Sequence, residues 1–117
     1  MAPAPIKPEI TLGDLSKIDV RAGTILTVAD VAGADKLVQL RVSFGDHERT
    51  IVRGLKAERT NPRAIEGKQA LFVVNLAPCE MKGVLSEGMV FDLGFDDGVT
   101  PAPVVPEAPV PDGTRAG

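Results

Sequence analysis

From Ile18 to Val28 the chain alternates. Ile18, Val20, Ala22, Thr24, Leu26 and Val28 share one parity, and Asp19, Arg21, Gly23 and Thr27 take the other. A period of two is that of a half-buried strand, and Gly23 within it predicts a bulge or sharp bend of the kind a small barrel needs to close. Ahead of it, Thr11-Leu12-Gly13-Asp14 has the form of a helix start, which predicts one short turn over Leu12 to Lys17. After a turn at Ala32 to Asp35, Val38, Leu40, Val42 and Phe44 alternate with Gln39, Arg41 and Ser43. The loop Gly45-Asp46-His47-Glu48 then leads into Arg49 to Val52, so the two strands read as a hairpin. Alternation stops between Leu55 and Lys68, where Asn61-Pro62 before Arg63-Ala64-Ile65 predicts a short helix with proline in its first turn. Gln69 to Leu76 is a near-continuous apolar strand and Met89 to Gly94 a last one.

Three strands, a short helix and two strands is the order of an all-β, five-stranded OB-fold barrel, whose helix lies between strands 3 and 4. Half of the ten prolines fall between Pro101 and Pro111 and three more precede Glu9, so both ends are expected to be extended. The expected division is an N-terminal extended segment, residues 1–10, and a barrel domain, residues 11–117. The ordered body of that domain should end near Phe95, leaving a Pro-rich C-terminal segment of about residues 96–117.

Composition narrows the chemistry. With 117 residues, 44% of them apolar, the chain has the size of one domain that can bury a core without disulfides or metal. No apolar run reaches the ~18 residues of a membrane-spanning helix, and Met1 to Pro8 lacks the basic-then-apolar pattern of a secretory signal, so a soluble, cytoplasmic protein is expected. Cys79 is the only cysteine and His47 the only histidine, which leaves no zinc ligand set and no Ser-His or Cys-His pair of the usual kind. Walker, Gly-x-Ser-x-Gly and H-E-x-x-H motifs are absent, Ser86 has no base at hand, and Asp96-Asp97-Gly98 lacks the further ligands of a calcium loop. A non-enzyme without cofactor or metal is expected. The net charge of −3 is unevenly spread: residues 15–90 carry eleven Lys and Arg against nine Asp and Glu, whereas residues 91–117 carry five acids and one base. A mildly basic body hints at a phosphate-facing surface.

The segment Asn75-Leu76-Ala77-Pro78-Cys79-Glu80-Met81-Lys82-Gly83-Val84-Leu85-Ser86-Glu87-Gly88-Met89 joins the last two strands. It resembles the Asn-Leu…basic-Met-basic-Gly…Ser-x-Gly-Met string of the tRNA-binding domain found as a free-standing bacterial protein, at the end of methionyl-tRNA synthetases and in the beta subunit of bacterial phenylalanyl-tRNA synthetases; related export chaperones bind unfolded polypeptide. Ile18-Asp19-Val20-Arg21-Ala22-Gly23-Thr24-Ile25, Ala34-Asp35-Lys36-Leu37 and Val110-Pro111-Asp112-Gly113-Thr114-Arg115 are similar to other stretches of the same family. The resemblance implies tRNA contacts at Lys36, Lys82, Ser86 and Met89, with Arg41, Arg53 and Asn75 as candidate further RNA contacts. Lysines would pair with phosphate, the serine would bond phosphate or ribose, and the methionine would pack on a sugar or base. It also implies a homodimer paired through the segments flanking the barrel, which would cover the second apolar face of Gln69 to Leu76. A synthetase or an unfolded polypeptide is a further candidate partner, and chaperone activity the alternative function. One departure stands out: Glu80 occupies a position that relatives often make basic, and Arg53 is the candidate to compensate. With no Trp or Tyr and only four Phe, two of them at inward positions, few rings remain to stack single-stranded bases. Recognition of a folded RNA by its backbone shape fits better.

Overall fold

The computed structural model describes residues 2–55 and 59–117. Lys56, Ala57 and Glu58 lie outside the described residues. Among the described residues the fold is all-β, with a short helical turn and the 3-10 turn Pro62–Ile65. Thr11 caps the helical turn α1 (Leu12–Leu15) reciprocally: its Oγ1 accepts from the Asp14 amide, and its own amide donates to the Asp14 carboxylate. None of the four residues of α1 is buried.

One curled antiparallel sheet carries the fold. Its order is β3 (Glu48–Arg53), β2 (Val38–Ser43), β1 (Val20–Asp30), β4 (Gln69–Val73) and β7 (Met89–Val90). Within this order the long strand β1 is shared, pairing Val20 to Thr24 with β4 and Thr24 to Asp30 with β2. Between Ile25 and Thr27 its register shifts. This bulge changes which side chains face inward, so Ile25 and Val28 are buried while Leu26, expected inside on strict alternation, is 40% exposed. Ile18 precedes the strand and is exposed as well. The bend therefore lies just after Gly23, whose own role is close approach: a Cβ there would sit 2.7 Å from Val42 Cγ1 and 2.9 Å from Phe44 Cε1. Phe72, Leu40, Ile51, Leu55, Val38 and Val42 form the fully buried centre, and the 3-10 turn Pro62–Ile65 seals it with Ile65.

Two regions differ from expectation. The stretch between β4 and β7 contains its own hairpin, β5 (Cys79–Met81) with β6 (Val84–Ser86), and the expected last strand breaks after Val90. Its second part, β8 (Asp92–Leu93), leaves the sheet to pair with β9 (Ala102–Pro103). The ordered body also does not end near Phe95. Leu71 donates to Val104 O, the Gln69 side chain bonds both the amide and the carbonyl of Val110, Thr24 Oγ1 donates to Asp112 Oδ1 at 2.7 Å, and β10 (Arg115–Ala116) pairs with Val20 and Arg21. The proline-rich tail is thus a strap across β1 and β4, using its non-proline amides and carbonyls as an edge segment does. Its presence explains why β4 is apolar on both faces within a single subunit.

Candidate nucleic-acid interface

The β5–β6 hairpin turns on two residues, Lys82 at φ 52° and Gly83 at φ 81°. Two successive left-handed residues make a type I′ turn, which matches the twist of tightly paired strands. Glycine supplies that conformation without strain, and around Gly83 there is open space, so backbone freedom and not packing selects it. Lys82 is the one non-glycine residue with positive φ among those described, and it stands exposed at the hairpin tip. Glu80 lies opposite Leu85 in the same hairpin, both exposed.

Below the tip, the Ser-x-Gly-Met string does structural work. Ser86 is buried; its Oγ accepts from the Val52 amide at 3.0 Å and donates to Gly88 O at 3.1 Å. Glu87 exchanges two bonds with Thr50, its amide to Thr50 O and its carboxylate from the Thr50 amide. Gly88 passes so close to β4 that a Cβ would lie 2.9 Å from Val73 O. These three residues form a seam along the free edge of β3, and the curled sheet closes there. Met89 emerges on the β4 side of the seam, opposite Val73, and is 47% exposed.

The seam also orients the hairpin. Glu87 meets Thr50 and Ser86 meets Val52, so β6 runs antiparallel to β3 and the hairpin tip projects past Arg53. Lys36, exposed in the turn between β1 and β2, has its carbonyl 3.9 Å from where a Gly54 Cβ would be, beside the same end of β3. Two turns distant in sequence thus present Lys36 and Lys82 at one end of the sheet.

Other expected contacts are engaged elsewhere. Arg41, partly exposed on β2, is held by Glu48 at 3.1 Å and by Thr50 Oγ1 at 3.0 Å. Arg53 is an ion-pair partner of Asp92, with side chains only 11% and 16% exposed, so it is not a solvated surface charge. Asn75 clamps the entry to β1: Oδ1 accepts from the Asp19 amide and Nδ2 donates to Lys17 O. His47 is more than a solvated turn residue, since it stacks on Phe44 at 5.5 Å, contacts Asp46 through Nδ1 and accepts from Arg49 Nε at 3.0 Å. Its imidazole beside Asp46 holds that carboxyl below the ordinary range, and Arg21 does the same for Asp19 through a hydrogen bond. Of the four phenylalanines, Phe44 and Phe72 meet edge to face in the core. Phe91 and Phe95 are exposed, Phe91 in a cleft with Leu12, Leu15 and Ile18. No ring therefore lies within the 75–89 segment. No group of three or more His, Cys, Asp or Glu able to hold a metal occurs among the described residues.

Residues 20–115 match the family model described as "Putative tRNA binding domain". The chain belongs to the tRNA-binding domain family. It is 42% identical over 111 residues to the methionine–tRNA ligase of Parabacteroides distasonis, a match that covers 95% of this chain and 16% of that enzyme. It thus spans about a sixth of the length of such curated relatives. Among solved structures, the MetRS-related protein of Pyrococcus horikoshii superposes with a TM-score of 0.85 at 31% identity, covering 95% of this chain and all of that one. The CsaA chaperone protein of Picrophilus torridus superposes with a TM-score of 0.78 at 27% identity, covering 93% of this chain and all of that one.

Within this tRNA-binding domain, Arg49 belongs to no motif of the sequence. It sits at the start of β3, and its guanidinium donates through Nη1 to Val74 O at 2.6 Å and Glu87 O at 3.0 Å, with the ring of Phe44 5.9 Å away. Alternation alone would place its side chain inward, opposite Val42; an arginine at an inward position was the available signal.

Proposed function

We propose that this domain is a non-catalytic, structure-specific tRNA binder that acts as a homodimer in the cytoplasm, alone or as part of a synthetase. The observation that carries the reading is the convergence of Lys36 and Lys82 on two exposed turns at one end of the sheet. Exposed lysines on rigid turns suit phosphate oxygens, and a surface with no ring in the 75–89 segment suits backbone shape over base stacking. Met89 supplies the apolar contact at the far side of the seam. Ser86 serves by holding the seam next to Met89, and Arg41, about half exposed, is a further candidate contact. The dimer is supported by Leu12, Leu15, Ile18 and Phe91, which are 84%, 52%, 52% and 42% exposed around one cleft. A four-residue helix with no buried side chain gains little by itself, and a second copy would cover it.

The same cleft favours one second reading, a chaperone that takes unfolded polypeptide, since the neighbours of this fold include a CsaA chaperone protein. Gel-shift titration of total tRNA, single-stranded RNA, double-stranded RNA and an unfolded protein at two salt concentrations separates the readings. Folded tRNA should bind best and lose affinity as salt rises. Equal binding of an unstructured RNA of the same length would refute shape recognition, and preference for the unfolded protein would favour the chaperone.

A further inference from the structure

Arg49 has donors spent on two backbone carbonyls that lie at one end of the Met89–Val73 pair. Val74 follows Val73 just past the end of β4, and Glu87 stands two residues before Met89. A planar guanidinium has a fixed fork of donors, so holding these two carbonyls and the His47 nitrogen together sets the distance between the end of β4 and the strand carrying Met89. The ring of Phe44 lies alongside, and Phe44 itself packs on Phe72, so the fork is anchored to the buried core. His47 completes the seat. Its Nδ1 faces Asp46 Oδ1 at 2.6 Å, an arrangement that leaves Nε2 as the acceptor for Arg49 Nε.

We propose that Arg49 is the positioning residue of the RNA-contacting segment: it acts on RNA through Met89, by fixing Glu87 and Val74, and not as a phosphate ligand. The inference rests on the tRNA reading above. A direct phosphate contact and a positioning role differ in what they predict. Loss of a phosphate partner lowers the salt dependence of binding by roughly one counterion's worth, whereas loss of a positioning residue weakens binding at unchanged salt slope. A charge-only role would also survive replacement by lysine, which lacks the fork.

The test is tRNA affinity as a function of salt for the parent, Arg49→Gln, Arg49→Lys, Met89→Ala and the double variant Arg49→Gln/Met89→Ala, each checked for folding by circular dichroism. Arg49→Gln and Arg49→Lys should each weaken binding about tenfold without changing the slope, and the arginine change should cost little in the Met89→Ala background, because coupled residues are not additive. Should the Arg49 variants fail to fold, His47→Ala removes one acceptor of the fork from the exposed hairpin loop and should weaken binding about twofold to threefold in the same way. Additive losses, a lowered salt slope, restoration by lysine, or parental affinity in a folded Arg49 or His47 variant would overturn the proposal. If Met89→Ala weakens binding while folded Arg49 variants bind like the parent, this inference fails alone; if the parent does not bind tRNA, the functional reading fails with it.

Discussion

Ser86 illustrates how a residue in a binding string can owe its place to folding. Its hydroxyl satisfies a buried amide and a carbonyl, so Ser86→Ala leaves the Val52 N–H without its partner and should cost about 1–3 kcal/mol of stability, read from urea or thermal unfolding. An unchanged unfolding midpoint would mean that the seam is held otherwise. Glu80 and Lys82 behave as surface charges. Glu80→Lys should tighten tRNA binding by about 0.5–1 kcal/mol at low salt and by less at high salt, since exposed charges are screened. Lys82→Asn, which keeps a residue tolerant of the left-handed turn, should weaken binding and lower the salt slope. Gel-shift titrations at two ionic strengths check both, and a Glu80→Lys variant that binds no better would show that the hairpin does not face phosphate. At Asp19, bonds of 2.9 and 3.0 Å from Arg21 depress the folded-state pKa. The stabilisation is therefore present above the ordinary carboxylate pKa of ~3.9 and is lost as pH falls through the lower folded value. Replacing Asp19 by Asn should flatten the acid limb of the stability curve, by a small amount because the pair is about a third exposed.

At the scale of elements, the strap formed by the proline-rich tail decides how truncation reads out. Gly113 approaches the carbonyl of Phe44 where a Cβ would overlap it, and its amide donates to Ala22 O at 2.8 Å. Residues 110–117 therefore hold the start of β1 and the end of β2 together. Deleting them should lower the unfolding temperature of the domain, seen by circular dichroism, instead of merely separating subunits. A truncated chain that melts like the parent would show the strap to be dispensable to the fold and leave it a role in pairing alone. The β5–β6 hairpin was hard to foresee for a related reason: Pro78, Gly83 and Gly88 read as a flexible connection, while the type I′ geometry and the seam with β3 supply order that no local apolar pattern announces.

For the whole molecule, the apolar cleft around α1 and the two exposed lysines lie on different parts of one small body, so association can be broken by mutation without altering Lys36 or Lys82. Sedimentation at micromolar concentration should show a dimer, and Leu15→Glu or Phe91→Glu should yield a folded monomer with weaker tRNA binding, because each places a charge in the cleft. A parent that sediments as a monomer would remove the dimer from the proposed function.

Alternation, turn residues and the Asn61-Pro62 start placed the strands β1 to β4 and the 3-10 turn from sequence alone, because side chains of a sheet with one buried face must alternate and prolines must avoid its interior. The local motifs likewise pointed to the 75–89 segment and to Lys36. What the sequence left open were contacts between residues far apart in the chain: the bulge that puts Ile25 inside in place of Leu26, the ion pair that removes Arg53 from the surface, the clamp made by Asn75, the fork of Arg49 and the docked tail. Each depends on which backbone groups and charges the curled sheet brings within bonding distance. A one-dimensional pattern records the preference of a residue for water or core, and only the folded chain decides which partner meets it there.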